Sequence, residues 1–392
     1  MLRQLKSIYE KEARLVIGLM SGTSKDGVDA ALVRLEGSGP ETKVELLDFD
    51  CFPYDPRLYK RLNNLNTGCT LQDISDLNFI VGAVFADAAL SIIEKSGLSK
   101  TDIDLIGSHG QTVFHNPPSR GAGVASTLQI GEPDVIAEMT GITTVADFRT
   151  RDIAAGGEAA PLVPYVDYIL FGGINKPRIA QNLGGIGNAT VITKRLDEVM
   201  AFDTGPCNSL MDKIVSIATD GHERFDRDGA LASAGACDPS LLQELLSNPY
   251  FEKTPPKSTG EELFGADMAR HLYSMVENRK ITLNNLLATV LELSVESIAL
   301  SYTRFVTPSW DVHDVIFSGG GCDNPFLMTR LRERLRPLKC VLSDVYGVPH
   351  GAKEAVAFAI LANELVSGNC ANLPSVTGAS HGVPLGKIVP GG

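Results

Sequence analysis

A run of hydroxyls, one lysine and one carboxylate set among glycines, Ser21-Gly22-Thr23-Ser24-Lys25-Asp26-Gly27, is the first place where this sequence could do chemistry. Backbone N–H groups and hydroxyls converging on one tight turn suit a phosphate, and the lysine and aspartate beside it suit a charge partner and a water-bound Mg²⁺. An ordinary hairpin explains the glycines as well, because glycine is the default wherever φ must be positive. A second turn, Asn182-Leu183-Gly184-Gly185-Ile186-Gly187-Asn188, is open to the same two readings. A third feature differs in kind. Ser318-Gly319-Gly320-Gly321-Cys322-Asp323-Asn324 joins an apolar run to a helical pattern, and its glycines let a flat ring or a phosphate approach the backbone. The polar cluster Ser108-His109-Gly110-Gln111-Thr112 is expected on a loop at a strand end, where functional groups commonly sit.

Strands must hold these turns. Residues 15–20 read as a buried strand, 30–35 resume the pattern after the first turn, and 43–47 alternate as a third strand. The first turn therefore belongs to an antiparallel meander and not to the strand-to-helix setting of a P-loop. Ile80, Val84, Ala88 and Ile92 recur at helical spacing, which predicts a helix over 71–96 stopped by Gly97. Residues 178–181 and 189–192 flank the second turn as strands, and 312–317 run as a strand into the triple glycine. Helices are expected where Leu287, Leu291, Val295, Ile298, Tyr302 and Phe305 share a face, over 326–335, and over 354–366. The class is α/β. A chain of 392 residues exceeds what one core usually organises. The Gly-, Ala- and Pro-rich stretch at 141–164 marks the expected crossover, giving one domain over 1–145 with 370–392 and another over 146–369.

Composition narrows the partners. Hydrophobic residues make up 44% and charged residues 21%, as in an ordinary globular protein. The formal charge of −12 opposes extended contact with a phosphate backbone, so no nucleic-acid partner is expected. Seven scattered cysteines with no C-x-x-C pair point to a reducing compartment, with neither a disulfide framework nor a zinc site. The first 14 residues lack the apolar centre of a secretion signal, and no uninterrupted apolar run approaches membrane length. A cytoplasmic location with no membrane partner is expected.

Two hairpin turns and one strand–triple-glycine–helix step, in this order, resemble the actin/Hsp70/hexokinase superfamily. There a hairpin from each domain grips the phosphates across an interdomain cleft and the glycine step holds the adenosine. The wording of the motifs is more specific. Gly18-Leu19-Met20-Ser21-Gly22-Thr23-Ser24 with Asp26-Gly27-Val28-Asp29, His109-Gly110-Gln111-Thr112 with His115, and Asp147-Phe148-Arg149 with Asp152 and Ala154-Ala155-Gly156-Gly157 come first. Asn182-Leu183-Gly184-Gly185-Ile186, Phe202-Asp203-Thr204-Gly205-Pro206 with Asn208, Lys257-Ser258-Thr259-Gly260, and Glu354-Ala355 follow. Together, over roughly residues 15–390, they resemble the anhydro-N-acetylmuramic acid kinases.

That resemblance implies an ATP- and Mg²⁺-dependent kinase. Water opens the 1,6-anhydro bond of the sugar while O6 receives the γ-phosphate, in peptidoglycan recycling and amino-sugar catabolism. It implies Asp203 as the base that activates water, with Asp152 as second candidate, although Asp-Thr-Gly-Pro is also good turn chemistry. Arg149 suits the substrate carboxylate, and Gln129, Glu132 and Asn208 are further sugar contacts. Residues 21–29, Asn182, Gly184, Gly185, Gly319, Gly320, Gly321 and Asn324 are expected at the nucleotide, and Asp26 and Glu354 near Mg²⁺. His109 and His115 are expected to orient a loop. Lys25, Cys207 and Glu158-Ala159 depart from the family pattern, the last pair putting the sugar in question. A kinase for another anhydrosugar such as levoglucosan stays open, as does a nucleotide-switched interaction protein of the actin or Hsp70 kind, and so does homodimer formation.

Overall fold

The structure is a computed structural model that describes residues 2–392 except Thr23, Thr67 and Ala122, and leaves out the side chains of Asn66 and Glu261. The strands are β1 (Ala13–Ser21), β2 (Gly27–Glu36), β3 (Lys43–Pro53), β4 (Leu105–Asn116), β5 (Ser126–Ile130) and β6 (Thr144–Ala146). They continue as β7 (Arg178–Leu183), β8 (Ile186–Ile192), β9 (Met200–Pro206), β10 (Asp314–Ser318), β11 (Lys339–Leu342) and β12 (Lys387–Val389). The helices that bear on function are α1 (Leu71–Ser96), α2 (Pro133–Thr140), α3 (Thr150–Ala154), α4 (Asn208–Ala218), α5 (Leu283–Phe305), α6 (Pro325–Arg334) and α7 (Lys353–Val366).

Two compact units divide the chain, Met1–Leu170 with Ala352–Gly392, and Phe171–Gly351. The sheet of the first unit runs β12-β6-β4-β1-β2-β3, with β5 on β4. Its meander β1-β2-β3 is antiparallel, while β4 lies parallel to β1, and β6 parallel to β4. The second sheet runs β11-β10-β7-β8-β9, again an antiparallel meander with parallel strands beside its first member. Each unit is thus a mixed sheet with flanking helices, the α/β class that the sequence and the superfamily resemblance imply.

Both divisions differ from the expected 145/146 and 369/370, and the packing of α7 explains the second. An ideal Cβ on Gly18 would lie 1.8 Å from the Ala355 carbonyl oxygen, and one on Gly107 2.1 Å from that of Phe358. Only glycine in β1 and β4 admits the helix at this distance, so α7 belongs to the first sheet. Val356, Phe358, Ile360 and Leu361 are buried along it, each worth about 1.5–3 kcal/mol by area.

On the opposite face α1 buries Leu77, Val81, Phe85 and Ile92 against Ile17, Leu19, Leu32 and Ile106. A capping box between Thr70 and Asp73 starts it, and Gly97 at φ +72° ends it, as the sequence predicts. In the second unit α5 is the core helix. Although α1 and α5 are long and apolar enough to cross a membrane by length and composition, both contribute to these cores. One local expectation fails. The cluster Ser108–Thr112 is not a loop, because β4 continues through it to Asn116, with Gly110 at φ +72°.

Candidate active site

The turn between β1 and β2 is built from below by buried polar groups. Ser21 is 1% exposed, and its Oγ lies 2.7 Å from both the Gly27 carbonyl oxygen and Gln111 Oε1, while Tyr54 donates to it at 2.9 Å. Gln111 also donates to the Gly22 carbonyl at 3.0 Å. Ser21 is therefore a brace for the turn, and Gln111, quoted in the sequence only as part of a polar cluster, is its second support. Val28 is a core residue with no exposure, and Gly27 is required because a Cβ there would meet the Phe52 carbonyl at 2.5 Å. Lys25 adopts φ +54°, and its ammonium donates to the Leu62 carbonyl at 3.0 Å. Ser24 donates to the exposed Asp26 at 2.8 Å. Thr23 lies outside the described residues.

Gly22 stands apart from these. Its φ is not left-handed, and among the described residues a Cβ there would meet Ser24 Oγ alone, at 3.8 Å. The fold itself does not demand glycine at this position.

Behind the turn three carboxylates share the first unit. Burial pushes Asp29 up to about 6, opposed by a hydrogen bond from Cys51 and assisted by the charges of Glu354 and Asp26. Burial also pushes Glu354 up, with Lys353 and Arg149 pulling the other way. No cluster of three or more metal-binding side chains occurs among the described residues. Asp26 and Glu354 offer two carboxylates, a donor set that suits an ion keeping its waters, the usual state of Mg²⁺ beside nucleotide phosphates.

Arg149 follows β6. Its Nε donates to His109 Nε2 at 3.0 Å and its Nη1 to the Ala159 carbonyl at 2.5 Å. His109 Nδ1 faces the Gly110 carbonyl at 2.8 Å, and burial together with the Arg149 charge holds the ring far below its usual range, so it is neutral. Burial lowers Arg149 to about 10, which leaves it charged at neutral pH.

Asp152 is different. It has no exposure, and its carboxylate accepts from Ala159 N (2.7 Å), Asn372 Nδ2 (2.7 Å) and Thr377 Oγ1 (2.8 Å). With both oxygens committed it is a brace for the 156–159 segment and not a base. Ala159 sits at φ +53°, a left-handed conformation that glycine adopts more readily, and Glu158 accepts from the Ser119 N–H and hydroxyl. Glu132 accepts from Asn78 at 2.8 Å and caps α2, so it too is a structural group. Gln129, His109 and Ser108 line a cavity of about 500 Å³ in this unit.

In the second unit the two-residue connection Gly184-Gly185 joins β7 to β8. Its carbonyls accept from Cys207, Asn208 and Ser209 at 3.1 Å each, which fixes the start of α4. Asn208 also donates to the Leu183 carbonyl at 2.9 Å. The side chain expected at the sugar therefore ties a helix to the hairpin. The triple glycine packs onto the same hairpin. Gly319 has φ +91° and a Cβ there would lie 2.5 Å from Asn182 Oδ1, while one on Gly321 would meet Leu183 at 2.7 Å. A Cβ on Gly320 would meet nothing within 4 Å among the described residues, and Asn324 caps α6 through Phe326 N and Leu327 N. Ser318 Oγ, beside the step, is buried without a partner among the described residues.

Asp203 lies on β9 opposite Asn188. Its Oδ2 accepts from Thr259 N at 2.9 Å, its N–H donates to the Lys257 carbonyl, and Tyr250 donates to its carbonyl at 2.6 Å. No other hydrogen bond reaches its carboxylate among the described residues. Burial pushes it up to about 7, the Thr259 N–H opposes this, and the Glu262 charge adds to it. Lys257, whose Nζ lies 4.7 Å from the Tyr250 ring centre and 4.8 Å from that of Phe305, is lowered to about 8 by burial.

The family model for anhydro-N-acetylmuramic acid kinase matches residues 14–391. The chain belongs to that family. It is 49% identical to the anhydro-N-acetylmuramic acid kinase of Caldanaerobacter subterraneus subsp. tengcongensis over 393 residues, 98% of this chain and 99% of the relative. The anhydro-N-acetylmuramic acid kinase of Gloeobacter violaceus is 45% identical over 382 residues, 96% and 99% of the two chains. Among solved structures, component A of the Acidaminococcus fermentans (R)-2-hydroxyglutaryl-CoA dehydratase is similar with a TM-score of 0.43 and 11% identity, over 90% of this chain and 99% of that one. As a member of the anhydro-N-acetylmuramic acid kinase family the chain is a phosphotransferase acting on a small sugar.

Proposed function

We propose that this enzyme transfers the γ-phosphoryl group of ATP to O6 of 1,6-anhydro-N-acetylmuramic acid while water opens the anhydro ring. The products are N-acetylmuramic acid 6-phosphate and ADP. The observation that carries the reading is Asp203: one carboxylate oxygen is tethered to Thr259 N, the other has no partner among the described residues, and the group titrates at about 7. A base poised near the working pH combines a useful ionised fraction with real proton affinity. Asp203 accepts the proton of a water whose oxygen bonds to C1. The C1–O6 bond breaks, and O6 takes the phosphoryl group as ADP leaves.

Gly22 and Gly320 support the nucleotide reading, since at neither position does a neighbour among the described residues require glycine. In the first unit the turn over residues 21–27 offers backbone N–H groups to phosphate oxygens. In the second, the Gly184-Gly185 connection and the Gly319–Gly321 step offer backbone to phosphate and adenosine. Asp26 and Glu354 would hold hydrated Mg²⁺, which supplies neutralisation of phosphate charge. Arg149, oriented by neutral His109, meets the lactyl carboxylate with its remaining N–H groups. The acidic charge and seven free cysteines accord with a cytoplasmic sugar enzyme.

The test is product analysis in water labelled with oxygen-18. Label at C1 and phosphate at O6 are expected. A phosphorylated product that keeps its anhydro ring would refute the coupled hydrolysis, and no sugar-dependent ADP would refute the substrate.

A further inference from the structure

We propose that His350, as an imidazolium, is a positioning residue that clasps the Gly319–Gly321 step in its nucleotide-receiving form, so that nucleotide affinity falls when the ring loses a proton. This rests on the nucleotide reading of the step given above and adds to it the group that holds the step in place.

The step needs such a group. Glycine loses more conformational freedom on ordering than any other residue, and a glycine-rich segment left loose incurs that cost when a ligand binds. Here both ends are tied. The Gly319 N–H donates to the His350 carbonyl at 2.9 Å, and Gly320–Asp323 closes as a single 3₁₀ turn whose last residue, Asp323, accepts from His350 Nε2 at 2.9 Å. His350 is itself anchored to Asp344, in the turn Ser343–Tyr346 that follows β11. Its N–H and its Nδ1 both donate to Asp344 Oδ2, at 3.1 Å each. Gly320 lies between the two ties, and a Cβ there would meet nothing within 4 Å among the described residues.

The protonation state follows from the geometry. A neutral imidazole has one N–H and one lone pair, and a lone pair aimed at a carboxylate is repulsive. Both ring nitrogens face carboxylate oxygens, so both carry protons. Burial opposes the charge, but the hydrogen bonds and charges of Asp323 and Asp344 outweigh it and raise the ring above its ordinary value of 6.5. Cys322 and Tyr346 are the other titratable residues of the two turns. Tyr346 donates to Asp314 at 3.1 Å, and Lys353, further along the chain, is committed to Asp167 at 2.8 Å.

Loss of the proton leaves one ring donor for two carboxylates. Asp344 also holds the His350 N–H and its side chain is 44% exposed, whereas that of Asp323 is 76% exposed and has no other partner among the described residues. The ring therefore keeps Asp344 and releases Asp323. The far end of the step comes free, and two uncompensated carboxylates remain beside the site of an anionic ligand. The clasp is complete below the ordinary value of histidine and is lost as pH rises through the raised one.

Calorimetric titration with Mg²⁺-ADP from about pH 6 to about pH 9, without sugar, tests this. The ADP phosphates titrate alike in every variant, so ratios between proteins isolate the ring. The ratio of parental to His350→Gln affinity should fall from about tenfold at the acid end, the worth of one hydrogen bond to a charged group, to about one at the alkaline end. Asp323→Asn should hold the tight level across the range, because its amide accepts from the protonated ring and donates to the neutral one. A parental to His350→Gln ratio that stays constant with pH would make His350 at most a structural tie and overturn the proton dependence. An Asp323→Asn protein that loses affinity with pH as the parent does would overturn the release of Asp323 and the clasp. Failure of all three proteins to bind Mg²⁺-ADP at any pH would remove the nucleotide reading and the clasp with it.

Discussion

Replacing Asp203 by asparagine separates its chemistry from its structural duties. The amide keeps the shape of the side chain and can still accept from Thr259 N, but it cannot take a proton. Loss of a positioned base should lower kcat by ~10²–10⁴-fold while ATP binding persists. The same structure predicts an opposite effect on stability. The folded carboxyl titrates at about 7 against an ordinary value of 3.8, so the folded state favours the protonated form. Its favourable contribution is complete below the ordinary value and is lost as pH rises through about 7. Roughly three pKa units at about 1.4 kcal/mol each bound the cost of ionising it near 4 kcal/mol. Weakening of the charge-assisted bond to Thr259 N offsets about 1 kcal/mol of that in the variant. Asp203→Asn should therefore resist urea better than the parent at about pH 8, with the difference vanishing near about pH 4. The parent's kcat/KM should rise with pH and level off above about 7. A variant within tenfold of parental activity, or a parental profile flat from about pH 5 to about pH 9, would refute the base assignment.

The glycine step offers a paired test. Gly320→Ala should raise the KM for ATP with little change in melting temperature, whereas Gly319→Ala should cost about 1–3 kcal/mol in stability because φ +91° and Asn182 Oδ1 at 2.5 Å both oppose a side chain. The reverse pattern would remove the nucleotide from this step. Asp152→Ala should destabilise the protein by about 2–4 kcal/mol in urea titration by leaving three buried donors unpaired. Asp152→Asn should keep kcat within a few-fold, and loss of turnover with unchanged stability would return Asp152 to the role of base.

Much of the framework was legible in the sequence because it is local. Alternation and turn chemistry place β1 and β2 around residues 21–27 and β7 and β8 around Gly184-Gly185, and the helical period with Gly97 delimits α1. The motif order was enough to indicate the family. Local pattern could not show which polar groups are used up within the protein. Ser21, Lys25, Asp152, Glu132 and Asn208 have the residue types of ligand contacts, yet each is occupied by a partner, in several cases one far away in the chain.

The sequence by itself determined the two meanders, their glycine turns and the chemical types gathered near them, since turn and strand preferences act over a few residues. Tertiary structure alone decided which of those groups remain available. Burial and long-range hydrogen bonding set Asp203 near 7, commit Asp152, and place α7 with the first sheet through Gly18 and Gly107. Desolvation and hydrogen-bond satisfaction depend on what folding brings from distant parts of the chain, so no local window of sequence contains them.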